Sequence, residues 1–148
     1  MCSLVAATLI LPALAYAQNN QGNGPGINPA VPNGTYSFTD NGWVPANLCQ
    51  HPVVDGHVPL AGSGLETFFA NGTTSGVATF SAGGEVFNVT LAGTFTPNGD
   101  GSFSGTTNIL TPFQETVHFI LYPSPDGNTI AFVQTDAGIT INGVLTRH

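Results

Sequence analysis

Basic side chains are almost absent from this chain of 148 residues: Arg147 is the only Lys or Arg, against eight acidic residues, and the formal net charge is −7. Proteins that bind nucleic acid neutralise its phosphates with Lys and Arg. The shortage therefore excludes nucleic acid as a partner. Because so few residues are charged, Ser, Thr, Asn and Gln must hydrate the surface, which suits an exported protein.

Cysteine is scarce as well, and the motifs of several common chemistries are missing. The two cysteines are Cys2 and Cys49. If Cys2 is removed with an export signal, Cys49 is left to be buried, reactive or paired between molecules, and the last case would make the protein an oligomer. The sequence has no phosphate loop, dinucleotide motif or nucleophile elbow. We therefore expect no cofactor.

One short apolar run lies at the start of the chain, over residues 4–14. The small-x-small sequence AYA follows it and is typical of a signal-peptide cleavage site. Because the preceding MCS carries no Lys or Arg, an uncleaved anchor or an upstream start is the alternative. Cleavage predicts a signal peptide over 1–17, a disordered Asn/Gly/Pro-rich leader over 18–33 and one domain over 34–148. The mature protein would then be secreted or periplasmic, with no transmembrane segment.

From residue 34 onward the chain consists of short runs in which apolar and polar residues alternate, with no helical periodicity. Turns rich in Gly, Asn, Asp and Pro separate the runs, so neighbouring strands should pair antiparallel. The predicted strands are 35–39, 63–70, 76–81, 86–96, 101–110, 115–122, 129–135 and 138–147. The interval 40–62 contains three prolines and is predicted to be a long loop over one end of the sheet.

The alternation gives the predicted sheet one apolar face and one hydroxyl-rich face. The apolar parity holds Phe87, Val89, Leu91, Phe95, Phe103, Ile109, Val117, Phe119, Leu121, Ile130, Phe132, Ile139, Ile141 and Leu145. A closed barrel removes both sheet edges and encloses the apolar face. The predicted fold class is therefore all-β, a single antiparallel up-and-down barrel of about eight strands. A two-sheet β-sandwich is the alternative.

The stretch TFTPNGDGSFSG, residues 94–105, has the closely spaced oxygen atoms of a calcium loop. An EF-hand loop that starts at Asn98 needs Gly at its sixth position and Glu at its twelfth. Phe103 and Ile109 occupy those positions. Asn-Gly and Asp-Gly between alternating segments predict a hairpin turn instead.

The acidic residues fall into two groups. Five aspartates each lie within two residues of a glycine, and we interpret them as turn residues. They are Asp40, Asp55, Asp100, Asp126 and Asp136. Glu66, Glu85 and Glu115 have no such explanation.

Three segments resemble a loose group of small secreted β-barrel proteins of the lipocalin and allene-oxide-cyclase type. The segments are NGTYSF at 33–38, AGTFTPNGDGSFSGT at 92–106 and AFVQTDAGITINGVLTRH at 131–148. The resemblance implies a barrel that holds a small apolar molecule, as lipocalins do, or cyclises one, as allene oxide cyclase does. Lipocalins carry Gly-x-Trp on their first strand, whereas Gly42 and Trp43 are adjacent here. No binding residue is carried over.

Polar residues on the apolar parity are candidate ligand contacts, because they would point into a closed barrel. These candidates are Tyr36, Thr107, Glu115 and Gln134. Trp43 is a further candidate, since the predicted long loop carries it over one mouth. A carboxyl group that faces an apolar lumen has a raised pKa, which makes Glu115 the candidate catalytic acid. The alternative is that Glu115 lies in water at the rim.

The predicted long loop also contains Cys49, His51, Asp55 and His57. A thiolate, two imidazoles and a carboxylate can bind copper or zinc. Their spacing matches no established metal motif, and loop histidines are commonly just solvated. The primary expectation is therefore that the protein has no metal site.

Three functions from different classes fit these observations. The first is the binding of a small apolar ligand in the lumen or at one mouth. The second is a cofactor-free cyclase or isomerase that uses Glu115. The third is a structural or surface-associated extracellular protein.

The export hypothesis predicts that the mature chain begins at or near Gln18. The intact mass of the protein from the secreted fraction should lack residues 1–17, because AYA would direct cleavage after Ala17. A mass that includes Met1 to Ala17 would contradict the hypothesis.

Overall fold

Eight antiparallel strands close into a single barrel in the computed structural model, which describes residues 30–46, 56–112 and 114–148. The strands are β1 (Gly34–Pro45), β2 (His57–Phe68), β3 (Thr73–Ala82), β4 (Glu85–Pro97), β5 (Phe103–Thr111), β6 (Glu115–Pro123), β7 (Thr129–Gln134) and β8 (Thr140–Arg147). Each strand pairs with the next one in the sequence, and β8 pairs with β1. The prediction of an all-β up-and-down barrel is confirmed, and the sandwich alternative is wrong.

The seam between β1 and β8 closes the barrel. Its register runs from Tyr36 opposite Arg147 to Trp43 opposite Thr140. Closure gives β1 and β8 ladder partners on both sides, so neither remains an open sheet edge. The eight-stranded antiparallel barrel is the architecture that the resemblance to lipocalins implied.

The predicted long loop over 40–62 is wrong at both of its ends. β1 continues to Pro45, and β2 already begins at His57, with Asp40 opposite Gly62 and Val44 opposite Val58. The prolines misled the prediction, because proline lacks the N–H that a ladder uses. Here Pro45 ends β1 and Pro59 lies near the start of β2, where a strand tolerates it.

The hairpin prediction for residues 94–105 is confirmed, since a short turn joins β4 to β5. The backbone N–H of Asn98 donates to the Ser102 carbonyl over 3.0 Å. The Asp100 carboxylate accepts hydrogen bonds from the Ser102 hydroxyl at 2.6 Å and the Ser102 amide at 2.9 Å. These bonds lower the pKa of Asp100. The oxygen atoms that resemble calcium ligands therefore hold the turn together.

The barrel interior is apolar, as the alternation predicts. Every residue of the predicted apolar parity is buried or half-buried and faces the core. Four rings make successive edge contacts across one end of the barrel, where β2 joins β3 and β4 joins β5. They are Tyr36, Phe68, Phe95 and Phe103, with centroid distances of 5.5, 5.3 and 5.9 Å between successive rings. This ring series fills that end of the lumen.

The predicted signal peptide over 1–17 and most of the predicted leader over 18–33 lie outside the described residues. Residues 30–33 form no strand, and Pro32 is buried. Among the described residues, no helix has the length and apolar character that crossing a bilayer requires.

Two inward-facing glycines provide a matched test of how tightly the barrel is packed. A Cβ atom on Gly64 would overlap the Val77 carbonyl oxygen and lie 2.7 Å from Ala78 Cβ, whereas one on Gly105 would first meet Leu121 Cδ1 at 3.5 Å. Gly64→Ala should therefore destabilise the protein by about 1–3 kcal/mol, the usual cost of overpacking, and Gly105→Ala by much less. Urea unfolding midpoints measure the difference. Equal losses in the two variants would show that the close approach at Gly64 is absent.

Candidate functional site

A cavity of about 60 Å³ lies inside the barrel. Its wall is mostly apolar and includes six phenylalanine rings: Phe38, Phe68, Phe80, Phe95, Phe119 and Phe132. The polar residues of the lining are Asp40, Glu66, Thr74, Thr94 and Thr107. The cavity therefore combines aromatic walls with two carboxyl groups.

Asp40 faces the lumen from the middle of β1. Its neighbours on the paired strands are Gly62 of β2 and Gly143 of β8, neither of which has a side chain. A Cβ atom on Gly62 would overlap Asp40 Oδ1 and the ring of Phe80. Because Gly62 has no side chain, the Asp40 carboxyl group and the Phe80 ring have space beside it.

The carboxyl group of Asp40 is buried and incompletely hydrogen-bonded. The residue is only 9% exposed, and its Oδ1 atom has no hydrogen-bond partner in the part of the chain that the structure describes. Burial raises the pKa of Asp40 from its ordinary value of 3.8 to about 6, and a hydrogen bond from the Gly62 backbone only partly offsets this. An unpartnered polar atom in an apolar interior is costly unless a further group satisfies it.

Glu66 and Thr74 form the second polar part of the lining. Glu66 lies on β2 and Thr74 on β3. Burial raises the pKa of Glu66, and the nearby Thr74 hydroxyl partly offsets the rise. Thr74 is 7% exposed, so the hydroxyl group and the Glu66 carboxyl group form a second buried polar pair in the cavity wall.

The interpretation of Asp40 as a turn residue is wrong, because Asp40 lies inside β1. Gly42 lies in the same strand, so the nearby glycine does not mark a turn. The alternation of Tyr36, Phe38 and Asp40 was the available signal, since all three share one parity and all are buried. That signal was lost when the strand was predicted to end at residue 39.

The predicted ligand contacts are not brought together. Thr107 lines the cavity, but Tyr36, Trp43, Glu115 and Gln134 do not. Tyr36 is 1% exposed, and its hydroxyl donates to the Gly127 carbonyl over 2.9 Å, which fastens β1 to the turn between β6 and β7.

Trp43 lies on β1, and its indole is 50% exposed on the outer face, not in a loop over a mouth. Its inward-facing neighbours along the strand are Gly42 and Val44, of which Val44 is buried. The predicted position of Trp43 followed from the predicted long loop and is wrong with it.

Glu115 begins β6 and is half-buried. Burial, followed by the nearby negative charge of Asp136, raises its pKa. Asp136 accepts hydrogen bonds from the His118 ring at 2.7 Å, the His118 amide at 2.8 Å and the Gln134 side chain at 2.9 Å. Partial burial acts to raise the pKa of Asp136, but these bonds outweigh it and the pKa is lowered. This cluster is separate from the cavity lining.

The copper or zinc alternative has only one predicted ligand within the described part of the chain. Cys49, His51 and Asp55 lie outside it. His57 begins β2, and its Nε2 atom lies 3.2 Å from the Gly138 carbonyl oxygen. In residues 30–46, 56–112 and 114–148, no group of three His, Cys, Asp or Glu side chains is arranged to hold a metal ion.

Comparison with known proteins adds no family to this description. No family model, curated protein or solved structure matches the chain.

The raised pKa of Asp40 predicts how stability changes with pH. A carboxyl group whose pKa is higher in the folded state favours folding below its unfolded pKa, and this contribution is lost as pH rises through the folded pKa, here about 6. Asp40→Asn removes the titration. The stability of the variant relative to wild type should therefore increase by about 3 kcal/mol between about pH 3 and pH 7.

Urea unfolding at several pH values measures this difference. Asp100→Asn is a suitable control, because the pKa of exposed Asp100 is lowered and its contribution has the opposite pH dependence. If the free energy of unfolding changed with pH in the same way for wild type and Asp40→Asn, the assignment of a buried, titrating Asp40 would be contradicted.

Proposed function

We propose that the protein binds a small, mainly apolar ligand inside the barrel. The observation that carries the proposal is the buried carboxyl oxygen Asp40 Oδ1, which has no hydrogen-bond partner among the described residues and lies in the lining of a mostly apolar cavity. Ligand sites are typically apolar and contain a few well-placed polar groups. A ligand with one polar end would satisfy this atom and bury its apolar part against the rings.

The volume of the cavity limits the size of the ligand. About 60 Å³ is far below the ~300–1,000 Å³ of a pocket for a drug-sized molecule, and it is several times the ~10–15 Å³ that a cavity needs in order to hold one water molecule. The proposed ligand therefore has only a few heavy atoms. A lipid or another long-chain molecule would require the rings to move apart.

A cofactor-free isomerase or cyclase is the second candidate. A pKa of about 6 suits Asp40 to accept and return a proton near neutral pH. This candidate transfers the proposed catalytic role from Glu115, which does not line the cavity, to Asp40, which does. Asp40→Asn would abolish turnover in an enzyme, whereas in a binding protein it would change affinity alone.

The proposed setting is extracellular or periplasmic. It rests on the signal-peptide prediction and on the resemblance to small secreted barrels. The detection of residues 1–17 on the cellular protein and their absence from the exported protein would support this setting.

Protein-observed NMR with n-propanol tests the binding proposal directly. We expect the amide signals of Leu91, Gly105 and Leu145 to shift and saturate, because these residues line the cavity. Signals on the outer wall, such as those of Val77 and Val144, should stay in place. Shifts that are confined to the outer wall or fail to saturate would overturn the proposal and favour a structural role.

Enlarging the cavity should widen the range of ligands. Phe119 lines the cavity and packs edge-on against Phe132, with 5.5 Å between the ring centroids. Phe119→Ala should therefore create room for benzene. Benzene should then raise the melting temperature of Phe119→Ala but not that of wild type.

Tyr122→Ala is the matched control for this experiment. It also removes a ring from β6, but that ring is 54% exposed on the outer face. Equal stabilisation of both variants by benzene would show that the binding lies outside the barrel.

A further inference from the structure

We propose that the cavity selects a small organic cation, specifically a primary ammonium group on a short alkyl chain. This inference rests on the proposed binding function and specifies the chemical class of its ligand. It is carried by two observations on the described lining: it contains two carboxyl groups and no basic side chain, and the buried Asp40 Oδ1 atom has no hydrogen-bond partner there.

The described residues supply no positive charge to the lumen. Arg147 is its only Lys or Arg, and it is exposed at the rim beside Gly34. In the described part of the chain, His57 and His118 bind oxygen atoms of Gly138 and Asp136, and His148 is exposed at the same end as Gly34. None of these side chains lines the cavity. An ionised lumenal carboxylate therefore has no cationic partner within the described residues.

The neighbours of Asp40 on the adjacent strands leave its own carboxyl group as the charge that would control binding of the ammonium ligand. Gly62 and Gly143 flank it on β2 and β8, and Phe80 of β3 lies beside it, so these neighbours provide no titratable group. Among the described residues, Glu66 is the one other titratable group in the cavity lining, and burial raises its pKa. An anion would be repelled by an ionised Asp40 carboxylate, whereas an ammonium group would neutralise that carboxylate and donate to its free oxygen atom.

The aromatic walls strengthen the preference for an organic cation over a metal ion. Phenylalanine rings attract cations through their π faces, and an organic ammonium also buries its alkyl part against them. The hydroxyl group of Thr74 lies beside Glu66 in the same lining. The small volume restricts the alkyl chain to about one to three carbons.

Three ligands of one size and different charge test the inference: n-propylammonium, n-propanol and propionate. At about pH 8, where Asp40 is ionised, wild-type protein should bind propylammonium about tenfold more tightly than propanol and should not bind propionate measurably. Near pH 4.5 Asp40 is protonated while an alkylammonium remains charged, so this advantage should disappear. Protein-observed NMR titration measures all three affinities.

Asp40→Asn should bring the affinities for propylammonium and propanol close together at both pH values. Glu115→Gln is the matched control, because it makes the same chemical change outside the cavity lining and should preserve the preference. The pH series on wild-type protein is an independent test that does not depend on the folding of any variant.

The outcomes separate the two proposals. Saturable propanol binding without a preference for propylammonium would overturn the cation inference and leave the binding function in place. If neither ligand binds, the cavity holds only water, and both proposals fail. A preference that persists in Asp40→Asn but is lost in Glu115→Gln would move the cation site to the rim and also overturn the inference.

Discussion

Closure of the barrel is the constraint on which the rest of the structure depends. Once β8 pairs with β1, the number of strands fixes the width of the lumen, and eight strands leave space for little more than their own side chains. The inward positions must then balance large rings against small residues. Phenylalanine fills most of the space, while Gly62, Gly64 and Gly105 admit close neighbours or leave room beside them.

The two lumenal carboxyl groups work against the stability of this interior. Burial in an apolar medium disfavours the charged form, and the described structure offers neither group a cationic partner. Replacing such a group with an apolar residue of similar shape would usually be neutral or stabilising. The presence of Asp40 and Glu66 in a barrel that apolar residues alone could fill is therefore best explained by the proposed interaction with a ligand.

The alternation of side chains predicts most of the fold but little of the candidate site. Residues such as Val89, Phe103 and Leu145 are buried as predicted, because side chains along a strand point alternately to the two faces of the sheet. The prediction failed where proline and glycine interrupt β1 and β2, although tertiary pairing carries the strands through these residues. Asp40 lies in that interval. The room for its carboxyl group depends on the absence of a side chain at Gly62, across the ladder, and no local pattern reveals that contact.

The long-range seam between β1 and β8 also has a consequence for biosynthesis. Tyr36 is opposite Arg147, so the two strands that complete the barrel are separated by nearly the whole domain in sequence. Pairings of high sequence separation form slowly, because the intervening chain must be ordered first. A nascent chain therefore leaves one edge of β1 and one edge of its newest strand unpaired until β8 has left the ribosome. Closure of the barrel is the last of the strand pairings that synthesis makes possible.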